Sequence, residues 1–162
     1  MQMSHSMTDP KEVLIMMIIM FIAGLFSSMN NWVDKISDIQ FHLNDIYMSL
    51  LMCGWSLILM GIYYIHAPIL MIGIVFTGII LIFIRKQLFI NETQYLKGMI
   101  PHHSMAVLMS KKLLEKETEN IKNRNLHSRL IPNVKRLAKS IIDTQNDEID
   151  FMKSALYYKN II

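Results

Sequence analysis

Apolar residues are not spread evenly along this chain. They run almost unbroken through Val13–Met29 ("VLIMMIIMFIAGLFSSM"), Ile46–Ile65 and Ile69–Ile84, and afterwards recur every third or fourth position. Unbroken apolar runs of about 16 to 20 residues predict membrane-spanning helices, and the later spacing predicts amphipathic helices with one buried side. The pattern divides the chain into a tail over 1–12, a three-helix transmembrane region over 13–89 and a soluble helical hairpin over 90–162.

The second and third runs are separated only by "HAP", His66–Pro68, which predicts a tight turn between two spans. Asn30–Asp45 is polar, with Asp34, Asp38 and Asp45 against Lys35, and reads as a connecting loop or a short interfacial helix. The first run also has features of a signal peptide, since Lys11 precedes it and Ser27 and Ser28 follow it. Its length exceeds that of a signal core, so it is read as a retained span.

In the soluble part, a first helix over about Glu92–Lys116 carries Tyr95, Met99, His102, Ala106, Met109 and Leu113 at spacings of 4, 3, 4, 3 and 4. A second, over about Asn133–Tyr158, repeats the spacing at Val134, Ala138, Ile141, Gln145, Glu148, Met152 and Ala155. Two heptad seams predict an antiparallel pair, so the fold class is all-α. "EKETENIKNRNLHSRLIP" is polar enough to be the solvated connection. Pro101 lies one turn into the first helix, either as a kink or as the first turn of a helix that starts near Ile100.

Charge adds a direction. Residues 1–84 hold two Lys and Arg against five Asp and Glu, whereas 85–162 hold fourteen against eight. A basic domain beside a membrane is drawn to anionic headgroups, and no nucleic-acid-binding motif accompanies the charge. Arg85 and Lys86 after the third run place the C-terminal domain in the cytosol by the positive-inside rule, while Lys11 and the terminal amine pull the other way. The single cysteine, Cys53, excludes an intramolecular disulfide and a cysteine-based zinc site.

Three positions break the apolar rule of the two seams: His102, Gln145 and Glu148. With Leu113 set against Val134, His102 faces Gln145 and Met99 faces Glu148. Along the first helix, 100° per residue gathers Met99, His102, Met105 and Met109 within an arc of about 120°, with His103 on its flank. Imidazole and thioether donors together suit Cu(I) or a similar soft ion, and Glu148 is placed to ligate or to orient a histidine. The same residues equally compose a buried hydrogen-bond network that fixes helix register. The N-terminal "MQMSHSM" offers a second Met and His cluster, Met1, Met3, His5 and Met7; "NET" at Asn91 matches a glycosylation acceptor but sits at a helix start.

"YLKGMIPHHSMAVLMS" and "LAKSIIDTQNDEIDFM" resemble the domain-of-unknown-function 305 family, in its membrane-anchored subgroup. Glu92, Tyr95, Met99, Ile100, Pro101, His102, His103, Ala106, Gln145, Glu148, Ile149 and Met152 fill that family's pattern. The resemblance implies a ferritin-like helical hairpin following the three spans, with copper or silver binding in some members. Glu148 is followed three residues later by Phe151, so the Glu-x-x-His pair of di-iron ferritin-like enzymes is absent.

The leading expectation is a membrane-anchored protein of metal buffering or tolerance that binds Cu(I) as its cofactor or cargo. Its expected ligands are His102, His103, Met99, Met105, Met109, Glu148 and Met152, supported by Gln145, Tyr95 and Glu92. A four-helix arrangement needs a second chain, which makes a homodimer or higher oligomer the expected partner besides the lipid bilayer, with no nucleic acid. The alternatives are a non-catalytic structural or oligomerising protein and, third, a metal-dependent enzyme.

Overall fold

The computed structural model describes residues 9–122 and 132–159, with the side chains of 120 and 121 left aside. Five α-helices follow in order: α1 Pro10–Phe26, α2 Leu43–Tyr63, α3 Ala67–Lys86, α4 Glu92–Lys122 and α5 Pro132–Tyr158. Two short 3-10 turns, Met29–Trp32 and Ile36–Asp38, lie between α1 and α2. No strand occurs among the described residues. The expected N-terminal Met and His cluster, and residues 123–131 of the expected connection, lie outside the described residues.

The helix ends follow local chemistry. Asp9 caps α1 by accepting the Lys11 N–H at 2.9 Å, with Pro10 in the first turn, where its missing N–H costs nothing. The "HAP" turn works the same way: His66 caps α3 by accepting the Ile69 N–H at Nδ1, 3.3 Å away. Gln87 ends α3 in the left-handed region at φ 48°. The carboxamide of Asn91 accepts the Gln94 N–H at 2.9 Å, so this asparagine is occupied as the start of α4.

The chain forms two compact units, one of residues 1–28 and 42–90, the other of 29–41 and 91–162. In the first, α2 packs against both α1 and α3. The helices approach closely because glycine lines their contacts: a Cβ on Gly61 would stand 2.5 Å from the Leu70 backbone nitrogen. Cys53 is buried, its thiol directed at the Met17 carbonyl of α1 at 3.4 Å. All three helices are long and apolar enough to cross a membrane, and residues such as Ile18, Ile19, Leu59 and Ile72 leave half or more of their surface outward.

The second unit is the hairpin of α4 and α5 together with residues 29–41, most of the stretch expected to be a connecting loop or a short interfacial helix. Its core is Leu96, Ile100, Val107, Ile149, Met152 and Leu156, with Met99 and Ala155 packed against it. Residues 29–41 form a strap on α4, touching it through both 3-10 turns. Gln40 and Asn30 tie the strap to itself: the Gln40 N–H donates to the Asn30 carboxamide at 3.0 Å, and the Asn30 NH2 donates back to the Gln40 carbonyl at 3.1 Å.

The hairpin decides between two alternatives for Pro101 and corrects one expectation. α4 runs unbroken from Glu92, so Pro101 stands inside it and not at its start. Its ring is fully buried, and the Lys97 carbonyl loses the partner an N–H would have supplied. The buried stripe of α4 is also displaced by one residue from the expected seam. Leu96, Ile100 and Val107 face inward, while Tyr95 and Met109 are 55% and 59% exposed and His102 is exposed as well. Branched aliphatic side chains take the interior, and the longer, more polar Tyr, His and Met stripe is left outside.

Candidate functional site

The displaced seam separates the two adjacent histidines. Consecutive helical residues point about 100° apart, so turning Ile100 and Val107 inward carries His103 to the margin of the helix contact and leaves His102 in solvent. His103 Nδ1 stands 2.9 Å from Glu148 Oε2 on α5. The contact is an ion pair only while His103 is protonated. Burial lowers the His103 pKa, Glu148 opposes that shift, and the neighbouring His102 adds to it.

A second contact fixes the same register. Lys159 reaches Glu92, eleven residues along α5 from Glu148 and eleven back along α4 from His103. The facing pairs are therefore one turn away from the expected pairing of His102 with Gln145 and Met99 with Glu148. Gln145 is half-buried beside the seam. The expected seven ligands are thus divided. Met152 is buried in the core, Met99 packs on its edge, His103 and Glu148 are joined, and His102, Met105 and Met109 remain on the outer side of α4. The expected supporting residues divide too: Tyr95 is exposed and Glu92 is engaged by Lys159. Among the described residues no group of three or more His, Cys, Asp or Glu side chains is arranged to hold a metal ion.

The outer stripe is chemically distinct from such a group. His102, Met105 and Met109 lie three and four residues apart, within an arc of about 60°. They offer one imidazole and two thioethers, a donor set matched to a soft monovalent ion. Met105 is half-buried and the other two are exposed.

A polar network absent from the sequence expectation holds the strap. Ser104, fully buried, donates from Oγ to Asp38 Oδ2 at 2.5 Å and accepts the Asp34 N–H at 2.8 Å. Lys153 of α5 bonds the other oxygen of Asp38 and also donates to Ser37 Oγ at 3.1 Å. Lys111 pairs with Asp34 at 2.6 Å. Burial raises the Asp38 pKa, but the bonds from Lys153, Ser104 and Ser37 and the Lys153 charge outweigh it, so the carboxyl is held below its ordinary value. The signal available in the sequence was Ser104, Lys111 and Lys153, three polar side chains on the two helices, of which Lys111 and Lys153 each stand one position after a buried residue. Their partners lie about 70 or more residues away, beyond the reach of periodicity.

Residues 89–156 match the family described as Domain of unknown function (DUF305). Over 149 residues the chain is 42% identical to the protein named Uncharacterized protein L153 of Acanthamoeba polyphaga mimivirus, covering 89% of this chain and 90% of that protein. No solved structure matches it.

Proposed function

The chain belongs to the DUF305 family, and from that premise we propose that it is a three-span membrane protein whose hairpin binds Cu(I) or a similar soft metal in buffering or tolerance. The observation that carries the reading is the placement of His102, Met105 and Met109 together on the outer side of α4, where none of them takes part in the charged contacts of His103 with Glu148 or Lys111 with Asp34. His102 supplies the imidazole and Met105 and Met109 the thioethers; Met99 extends the set toward the core. A metal bound there is cargo held by soft donors, and no catalytic step is required of it. Members of the wider ferritin-like group motivate the comparison of the hairpin with half a four-helix bundle.

The strap supports the three-span reading. Residues 29–41 and the hairpin pack as one unit, so they emerge on the same side of the bilayer. Only an even number of crossings between them allows this, and α2 and α3 provide two. The packing of α1 on α2, through Gly24 against Ser49, favours a retained first helix over a cleaved signal. The basic C-terminal part, with Arg85 and Lys86 at its entrance, favours the cytosolic side.

A second reading has its own observation. The contact between His103 and Glu148 sets helix register, and on that ground the module is purely structural. A Cu(I) titration of the full chain in detergent, under reducing conditions against a competing chelator, separates the two. Stoichiometric binding that weakens at least tenfold in Met105→Leu/Met109→Leu supports the metal reading. Absence of binding in the unaltered protein rejects it and leaves the structural one.

A further inference from the structure

The strap distributes its side chains in the reverse of a water-facing loop. Its acids are turned inward: Asp34 and Asp38 keep only 11% and 2% of their side-chain surface and are held by Lys111, Ser104 and Lys153. Its large apolar residues are turned outward: Met29, Trp32, Ile36, Ile39 and Phe41 are 43%, 59%, 85%, 49% and 59% exposed. A lone exposed apolar side chain is ordinary on a protein surface. Five within the stretch 29–41 form a patch, and a patch marks a contact.

The backbone sorts the two kinds of residue. Side chains three apart superimpose on a 3-10 turn. Met29 and Trp32 are therefore aligned on the first turn, and Ile36 and Ile39 on the second and its C-terminal cap. Asp38, two residues after Ile36, points to another side, where Ser104 and Lys153 meet it.

Chain connectivity names what borders the patch. α1 ends at Phe26 and α2 begins at Leu43, so the strap joins two helices that are each long and apolar enough to cross a membrane. The apolar stretch that opens at Pro10 continues to Trp32, which places the start of the strap at the edge of the first span. Trp and Phe, apolar in body and polarisable at the ring, settle at the boundary between acyl chains and headgroups. Lys35, exposed between Trp32 and Ile36, can lay its stem along apolar surface while its ammonium reaches a lipid phosphate.

We propose that the outer edge of the strap lies in the headgroup boundary of the bilayer, with Trp32, Ile36, Ile39 and Phe41 inserted there. The strap is then a two-sided clamp, its acids gripping the hairpin and its apolar residues gripping lipid. Ser104, Lys111 and Lys153 are drawn toward the membrane. His102 and Met109 stand about 140–180° around α4 from Ser104 and Lys111, so the clamp turns them toward water, where a dissolved ion reaches them. The inference rests on the three-span reading and is independent of metal binding.

The chain has two tryptophans, Trp32 in the strap and Trp55 in the middle of α2, so each can be left as the sole emitter. The test uses the full chain in phosphatidylcholine vesicles whose acyl chains carry bromine either near the headgroup or near the chain end. In Trp55→Phe, the emission of Trp32 is expected to be quenched more by the shallow bromine than by the deep one, and little by acrylamide in the water. In Trp32→Phe, Trp55 is expected to show the opposite order of depth, with helical circular dichroism retained in both variants. Trp32 quenched by acrylamide and by neither lipid, while Trp55 still reports depth, overturns the proposal and leaves the spans standing. Trp32 shielded from all three quenchers overturns it as well and assigns the patch to a protein partner. Trp55 quenched by neither lipid rejects the three-span reading, and this inference with it.

Discussion

Ser104 Oγ donates to Asp38 Oδ2 across 2.5 Å, joining residues 66 positions apart in the chain. Both are buried, and Lys153 completes the triangle from the second helix. Removing the hydroxyl leaves the carboxylate with one partner fewer and the Asp34 N–H without its acceptor. Ser104→Ala is expected to destabilise the protein by about 1.5–3 kcal/mol, the scale of a lost hydrogen bond to a charged group. Thermal unfolding checks the loss, and limited proteolysis is expected to begin within residues 29–41. Unchanged stability would show that the strap is held by other contacts.

Asp38 also sets a pH limit. Its pKa is lower in the folded protein than the ordinary 3.8, so folding favours the carboxylate. The stability it contributes is present above that ordinary value and is lost as pH falls through the folded value. Melting temperature is therefore expected to drop more steeply below about pH 4 in the unaltered protein than in Asp38→Asn, which starts less stable and lacks this titration. Parallel slopes for the two proteins would refute the assignment.

The contact between His103 and Glu148 is expected to contribute little to stability, since Glu148 is 48% exposed. Glu148→Gln should cost under about 1 kcal/mol. Leu156→Ala, in the fully buried core, should cost about 2–5 kcal/mol. Denaturant unfolding of both variants checks the contrast. Comparable losses would make the ion pair a principal source of stability.

Between the apolar helices, Gly61 has no room for a side chain against the Leu70 backbone. Gly61→Val is expected to force α2 and α3 apart and to lower stability by at least about 1–3 kcal/mol, as overpacking does. A detergent melt of the full chain measures this, and an unshifted melt would argue against the close approach.

Much of this architecture was legible in the sequence. The apolar runs located α1, α2 and α3, and "HAP" marked their turn, because length and proline chemistry are local properties. The hairpin followed from heptad spacing, but its inner side did not. Tyr95, Met99, His102, Ala106 and Met109 satisfy that spacing as well as Leu96, Ile100 and Val107 do, and only packing shows that the branched side chains take the core. The one-turn change in pairing has the same origin, because spacing says nothing of how far two helices slide. The strap was invisible for a different reason. Asp34 and Asp38 look like ordinary loop acids until Lys111, Ser104 and Lys153 are brought beside them.

The central claim is that two adjacent histidines do different work, His102 binding a soft ion and His103 aligning the helices. Comparing Cu(I) affinity in His102→Ala and His103→Ala, each as the full chain against the same competing chelator, tests it most directly. The account predicts at least a tenfold loss for His102→Ala and near-unchanged affinity for His103→Ala. Equal losses in the two variants, or a loss confined to His103→Ala, would contradict it.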